Sequence, residues 1–411
     1  MVLDLAPRAD ATPWLSPQLY WPALTDATAH LDTPVGALHL GALRHNTHDL
    51  LERAGGSPIR VASKSLRVRG VLEAVLALPG YRGVLAYTLP EAIWLAETLD
   101  DIVVGYPTVD RDAIRALARS SRLAATITLM VDSVDHLDFI DSVIAPDRRE
   151  KIRVCLELDA SWNAPVLGHL GVWRSPVHTP EDARRLALRI VSRPGFRLVG
   201  LMAYEAQIAG LGDRPAGKPV QGGLNRWVRS RSVLDITARR AAAVAAVRQV
   251  ADLEFVNGGG TGSLETTHAD SSVTDIAAGS GLFGGHLFDN YAGFRPAPAA
   301  AFAVSVVRKP APGTVTLLGG GWIASGPPGA DRTPRLVWPE GLSLVRREMA
   351  GEVQSPVTGA AAGRLNVGDR VWLRHTKSGE LAEHLNEVAV VHDGNVVDML
   401  PTYRGEGKAF L

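Results

Sequence analysis

The 411-residue chain is 46% hydrophobic and 21% charged, an ordinary globular composition with ample material for a large core. Its 43 basic side chains balance 43 acidic ones, which excludes a net positive field for holding nucleic acid or an anionic membrane. No run of eighteen apolar residues predicts a membrane span, the N-terminus lacks a basic stretch followed by an apolar one, and the single cysteine, Cys155, excludes an internal disulfide; a cytoplasmic protein is expected.

From about residue 59 to 290, short apolar β-rich runs alternate with amphipathic helical stretches. Ile59 to Lys64 is read as the first strand, followed by a helix over 68–78. Gly83 to Thr88 and Asp101 to Gly105 are the second and third strands, each followed by a helix. Ala124 to Val131 is the fourth, and Ile152 to Asp159 the fifth. The fifth strand's return helix opens at Thr179-Pro-Glu-Asp, a helix-start signal. Phe196 to Tyr204, Leu253 to Asn257 and Val273 to Ala277 complete eight, with a long helical region over 225–252.

Eight strand–helix alternations over about 230 residues predict an α/β fold, a TIM-type (β/α)8 barrel. The strands are continuous apolar runs, as parallel strands covered on both faces should be. An open doubly wound sheet is the rival, and the count of eight favours closure. After about residue 295, β-rich runs separated by Gly- and Pro-rich turns, such as Pro310-Ala-Pro-Gly313, predict a C-terminal antiparallel β domain. The expected division is an N-terminal segment over 1–30, a barrel over 31–292 and a β domain over 293–411. The first fifty residues pack on either domain in this reading.

In such a barrel, active residues sit at the C-terminal ends of the strands. Strand one ends at Lys64. A lysine desolvated there could form a Schiff base; a rim lysine reaching water along its flexible stem is the plainer alternative. Strand seven leads into Asn257-Gly-Gly-Gly-Thr-Gly-Ser263 and strand eight into Ala278-Gly-Ser-Gly281. Glycine loops here let bare N–H groups converge on an anion, so Gly259, Gly260, Thr261, Gly262, Gly279 and Ser280 are candidate phosphate ligands, or simply tight turns. Tyr204 could pack beside a cofactor ring, and Arg174 could hold a phenolic oxygen or a substrate carboxylate. Cys155 reads as a small core residue. Residues 206–224 could form a lid or a surface loop. In the C-terminal domain, an extended reading puts His384 and Asn386 on one strand face. A zinc or manganese site could then be assembled from His375, Glu380, His384 and Asn386; a charged hairpin is the alternative.

Ile59-Arg-Val-Ala-Ser-Lys-Ser65, Gly83-Val-Leu-Ala-Tyr-Thr-Leu-Pro-Glu-Ala92 and Asp101-Ile-Val-Val-Gly-Tyr-Pro107 together resemble the fold-type III pyridoxal 5′-phosphate (PLP) enzymes. With Gly200-Leu-Met-Ala-Tyr-Glu205, Gly258-Gly-Gly-Thr-Gly262 and Pro401-Thr-Tyr-Arg-Gly405, the pattern is similar to the D-threonine aldolase and D-serine dehydratase-like group, over about residues 30–408. The resemblance implies PLP joined to Lys64, its phosphate at Gly259–Gly262 and Gly279–Ser280, Arg174 near the cofactor, and a homodimer with shared active sites. It further implies a lyase acting on a β-hydroxy D-amino acid, by retro-aldol cleavage or dehydration. An alanine racemase-like enzyme, or a PLP-binding protein without turnover, is the alternative. The group carries a metal-binding His-x-Cys or His-x-Asp near its C-terminus. Here the corresponding segment is His384-Leu-Asn386 or Glu380-Leu-Ala382, a departure that bears on any metal.

Overall fold

Short buried apolar runs bounded by turns give parallel strands, and here eight of them close on themselves. In a computed structural model, which describes residues 3–8, 11–327 and 329–411, the chain divides into two compact units. One comprises residues 50–64, 76–279 and 410–411; the other comprises 1–49, 65–75 and 280–409.

The first unit is the barrel. Its strands are β1 (Ile59–Ala62), β2 (Tyr81–Ala86), β3 (Ile102–Val104), β4 (Ile127–Val131), β5 (Ile152–Glu157), β6 (Phe196–Ala203), β7 (Phe255–Gly258) and β8 (Asp275–Ala278). Each pairs in parallel with the next, and Ile276 of β8 registers with Ile59 of β1, which closes the ring. The open doubly wound alternative is thereby excluded. Inside, Val103, Met130, Cys155, Val199, Met202 and Phe255 form a buried cluster. The core role read for Cys155 fits its full burial, which also pushes its thiol pKa up. Near the barrel floor the fully buried Arg60 is neutralised by Asp275 at 2.8 Å and Asp101 at 2.9 Å. An uncompensated charge at that depth would be costly, so both carboxylates are required.

Element boundaries differ from the sequence reading in a few places. Residues 124–126 belong to the helix Ser121–Thr126, capped by Ser120, and β4 starts only at Ile127. Ser63–Ser65 is a turn of 3-10 helix rather than the end of strand one. The long helix runs Pro219–Arg248, and 206–224 also contains the short helix Ala206–Ala209. Asn225 and Arg226 donate to the carbonyls of Gly212 and Asp213, so this segment is tied to the long helix.

In the second unit a nine-stranded sheet holds strands from 300–311 onward and also Val35–His39. That strand is antiparallel to Ala300–Ala311 and parallel to Glu387–His392. Residues 31–49, counted with the barrel on sequence, therefore supply a strand to this sheet, which is otherwise antiparallel. Among the described residues, no helix is long and apolar enough to cross a membrane.

Candidate active site

Because parallel strands all point the same way, the barrel collects its strand-end residues at one mouth. Lys64 sits in the turn after β1, Tyr106 two residues after β3, Asp132 directly after β4, Glu157 at the end of β5 and Tyr204 directly after β6. Lys64 is exposed, contrary to the desolvated lysine entertained from sequence, because β1 ends at Ala62 and the turn lifts it to the rim. Its ammonium donates to the Tyr106 hydroxyl at 3.1 Å.

Arg174 lies between two phenol rings, 5.3 Å from the Tyr106 centroid and 5.0 Å from that of Tyr204. Such cation–π contacts hold a planar guanidinium in place at the mouth. Burial pushes the Tyr106 phenol up, but the cations of Lys64 and Arg174 outweigh it and hold its pKa below the ordinary value. Burial raises the Tyr204 phenol, against the opposing pull of Arg174. Glu157, only 3% exposed, is pushed up to about 7 by burial, with Arg174 opposing and Asp132 and Asp159 adding to the rise. A carboxyl there is partly protonated at neutral pH. Sequence reading singled out neither Tyr106 nor Glu157; their positions at strand C-terminal ends were the available signal.

The glycine loops occupy the arc of the mouth between the strands that lead to Tyr204 and Lys64. Gly259 has φ +81°, a left-handed conformation that favours glycine. A Cβ on Gly260 would come within 2.9 Å of the Ala209 Cβ and 3.4 Å of Tyr204. The loop is held from beneath. The buried Glu205 accepts from the Gly259 N–H at 2.9 Å and from the Thr267 hydroxyl at 2.7 Å, and faces Arg240 at 3.3 Å. Arg240 also pairs with the buried Asp270 at 2.8 Å. Further out, Arg53 donates to the Thr261 carbonyl and Arg229 to the Gly262 carbonyl. With its carbonyls and the Gly259 N–H engaged in this way, the loop is preorganised. Gly279 is buried at the end of β8, and Ser280 opens the short helix Ser280–Phe283. An amine, a planar cation between aromatic rings, and a rigid glycine loop are a set that fits PLP: Lys64 for its aldehyde, the Thr261–Gly262 stretch of the loop for its phosphate, since Gly259 and Gly260 donate to Glu205 and Ser263, and Arg174 and Tyr204 beside its ring.

Among the described residues, the candidate metal donors are not gathered into one set. Ser378–Glu383 is helical and His384 is its C-cap, so the extended register that put His384 and Asn386 on one face does not form. Glu380, Leu381, Ala382 and Glu383 are good helix formers, and the helix buries Leu381 and Ala382. The His384 ring stacks flat on Trp322, with centroids 4.8 Å apart and planes 6° apart. The Glu380 carboxylate accepts from the backbone and hydroxyl of Ser325 at 3.1 and 3.2 Å. His375 is buried, its pKa pulled down to about 3 by that burial. Among the described residues, no three His, Cys, Asp or Glu side chains converge as metal ligands. These donors do not fit a shared divalent ion.

Strand count, closure and rim chemistry define a barrel of the kind that carries its active site on βα-loops. The model of the alanine racemase N-terminal domain matches residues 38–285, more than half of the chain, and the chain belongs to that family. It is 26% identical over 304 residues to a D-threonine aldolase of Arthrobacter sp., covering 71% of this chain and 72% of the relative. It is 25% identical over 269 residues to a 3-hydroxy-D-aspartate aldolase of Paracoccus denitrificans, covering 62% of this chain and 61% of the relative. Among solved structures, D-threonine aldolase from Filomicrobium marinum superposes with a TM-score of 0.74 at 20% identity, over 92% of this chain and 96% of that one. D-threo-3-hydroxyaspartate dehydratase from Delftia sp. HT23 gives 0.69 at 19%, over 92% and 99%.

Proposed function

We propose that this protein is a PLP-dependent lyase acting on a β-hydroxy D-amino acid. The observation that carries the reading is the juxtaposition of Lys64 with Tyr106 at the mouth of a barrel whose β7 loop is a preorganised glycine cradle. The names of the similar proteins, D-threonine aldolase and 3-hydroxy-D-aspartate aldolase among them, support the lyase class and the β-hydroxy D-amino acid.

When bound, PLP supplies an electron sink for charge developing at the substrate Cα. Lys64 would hold it through Nζ, and its amine is then the nearest base to the substrate Cα. Tyr106, as the phenolate that the neighbouring Arg174 cation favours, takes the proton from the substrate β-hydroxyl. As that proton leaves, the Cα–Cβ bond breaks and an aldehyde departs. In the dehydration variant Lys64 Nζ instead takes the Cα proton and hands it to the departing β-hydroxyl, which leaves as water. Arg174 offers a fixed positive charge to anionic groups of the complex, while Glu157, when protonated, adds no opposing charge. No step is assigned to a metal. A homodimer that shares its active sites belongs to the same reading.

The test is a panel of D- and L-3-hydroxy amino acids on PLP-loaded protein, scoring aldehyde, keto acid and racemised product separately. Aldehyde or keto acid from D-substrates supports the lyase. Racemised product alone assigns a racemase, and no product with a bound chromophore assigns a binding protein.

A further inference from the structure

A cavity of about 540 Å³ opens directly beside Lys64, on the β2–β3 side of the barrel mouth and away from the glycine loops. Its walls are Tyr87, Pro90, Tyr106, Pro107, Val109 and Phe410. The Phe410 ring is anchored from behind, 5.7 Å from Trp94 and 6.4 Å from Tyr87. Lys64, the one that binds the cofactor in the reading above, is the sole cationic side chain among the residues that line it.

The two helix starts at its edge are both capped by their own side chains. Asp110 lines the cavity, caps the helix Arg111–Ala118 and accepts from the Ala113 N–H at 2.9 Å. Thr88 likewise caps Leu89–Leu95, accepting from the Glu91 N–H. At each helix the cap thus already engages one first-turn donor, and Pro90 has none to offer. Asp110 adds a negative charge. A substrate carboxylate placed in this cavity would lose water and gain repulsion, whereas a ring would gain apolar contact with aromatic walls.

Resting on the PLP-lyase reading, we infer that this cavity receives the substrate side chain and selects an apolar, ring-bearing β-substituent over an acidic one. The substrate class is then a 3-aryl-3-hydroxy D-amino acid.

The experiment uses PLP-loaded protein and two unreactive probes without a β-hydroxyl, D-phenylalanine and D-aspartate, with binding followed by calorimetry and by the shift of the visible band. The expected result is at least about tenfold tighter binding of D-phenylalanine. Val109 is 68% exposed, so Val109→Arg leaves the core intact; it should narrow the ratio by improving D-aspartate. Phe410→Ala should weaken D-phenylalanine alone. Equal or tighter binding of D-aspartate, or a ratio unmoved by Val109→Arg, overturns the specificity while leaving the cofactor reading intact. Absence of any PLP band overturns both.

Discussion

The Lys64 ammonium donates to the Tyr106 hydroxyl across 3.1 Å, and the Arg174 guanidinium lies 5.3 Å over the same phenol ring. One phenol thus touches both the amine proposed to hold the cofactor and the cation beside it. Replacing Tyr106 with Phe removes the hydroxyl and keeps the ring. Turnover should fall about 100-fold with cofactor binding retained, as for loss of a proton-transfer group. Stopped-flow assays at saturating cofactor check this. Unchanged turnover would remove Tyr106 from the chemistry.

Glu157 sets a pH dependence of stability. Its pKa in the folded chain is about 7, against an ordinary value of 4.5. Below the ordinary value both folded and unfolded chains are protonated and the stabilisation is complete. As pH rises through the folded value the native chain must give up a proton it held more tightly, and stability is lost, by up to about 3 kcal/mol. Glu157→Gln cannot ionise, so it should flatten this decline. Denaturant titrations of cofactor-free protein between pH 5 and pH 8 compare the two slopes.

Glu205 should matter at a distance from the chemistry. Glu205→Ala frees the Gly259 N–H and leaves the buried Arg240 with Asp270 as its remaining carboxylate. The expected cost is about 3 kcal/mol of stability, together with at least tenfold weaker cofactor binding as the loop loosens. Thermal unfolding and cofactor titration measure the two effects. Loss of stability with unchanged cofactor affinity would separate the network from the cradle.

Chelation should leave activity unchanged. Glu380 is engaged by Ser325 and His384 is stacked on Trp322, so neither is poised to bind an ion. Dialysis against a chelator, and His384→Ala, should both preserve turnover. A loss restored by zinc or manganese would show that the segment rearranges around an ion.

The barrel was legible because strands buried on both faces leave an unmistakable rhythm of short apolar runs. The placement of Lys64 and the Gly259 to Gly262 loop just after strands was legible for a related reason: strand ends fix where side chains gather. The helix Ser378–Glu383 was not. Its polar residues suit an exposed hairpin as well as a helix, and burial of Leu381 and Ala382 by distant chain decided the outcome. Glu157 is inconspicuous in the sequence for a similar cause. At the end of an apolar run it reads as a strand terminus, and its raised pKa arises from burial and from Asp132 and Asp159, which only the closed barrel brings near. The exposure of Lys64 likewise depends on a single 3-10 turn that periodicity does not reveal.

The role of Lys64 is tested most directly by Lys64→Ala, read by absorbance and borohydride trapping with PLP present. Wild type should show a visible band that borohydride abolishes, with PLP fixed to a peptide containing Lys64. The variant should show neither trapping nor turnover. A variant that keeps both the trapped adduct and full turnover would contradict the role given to Lys64.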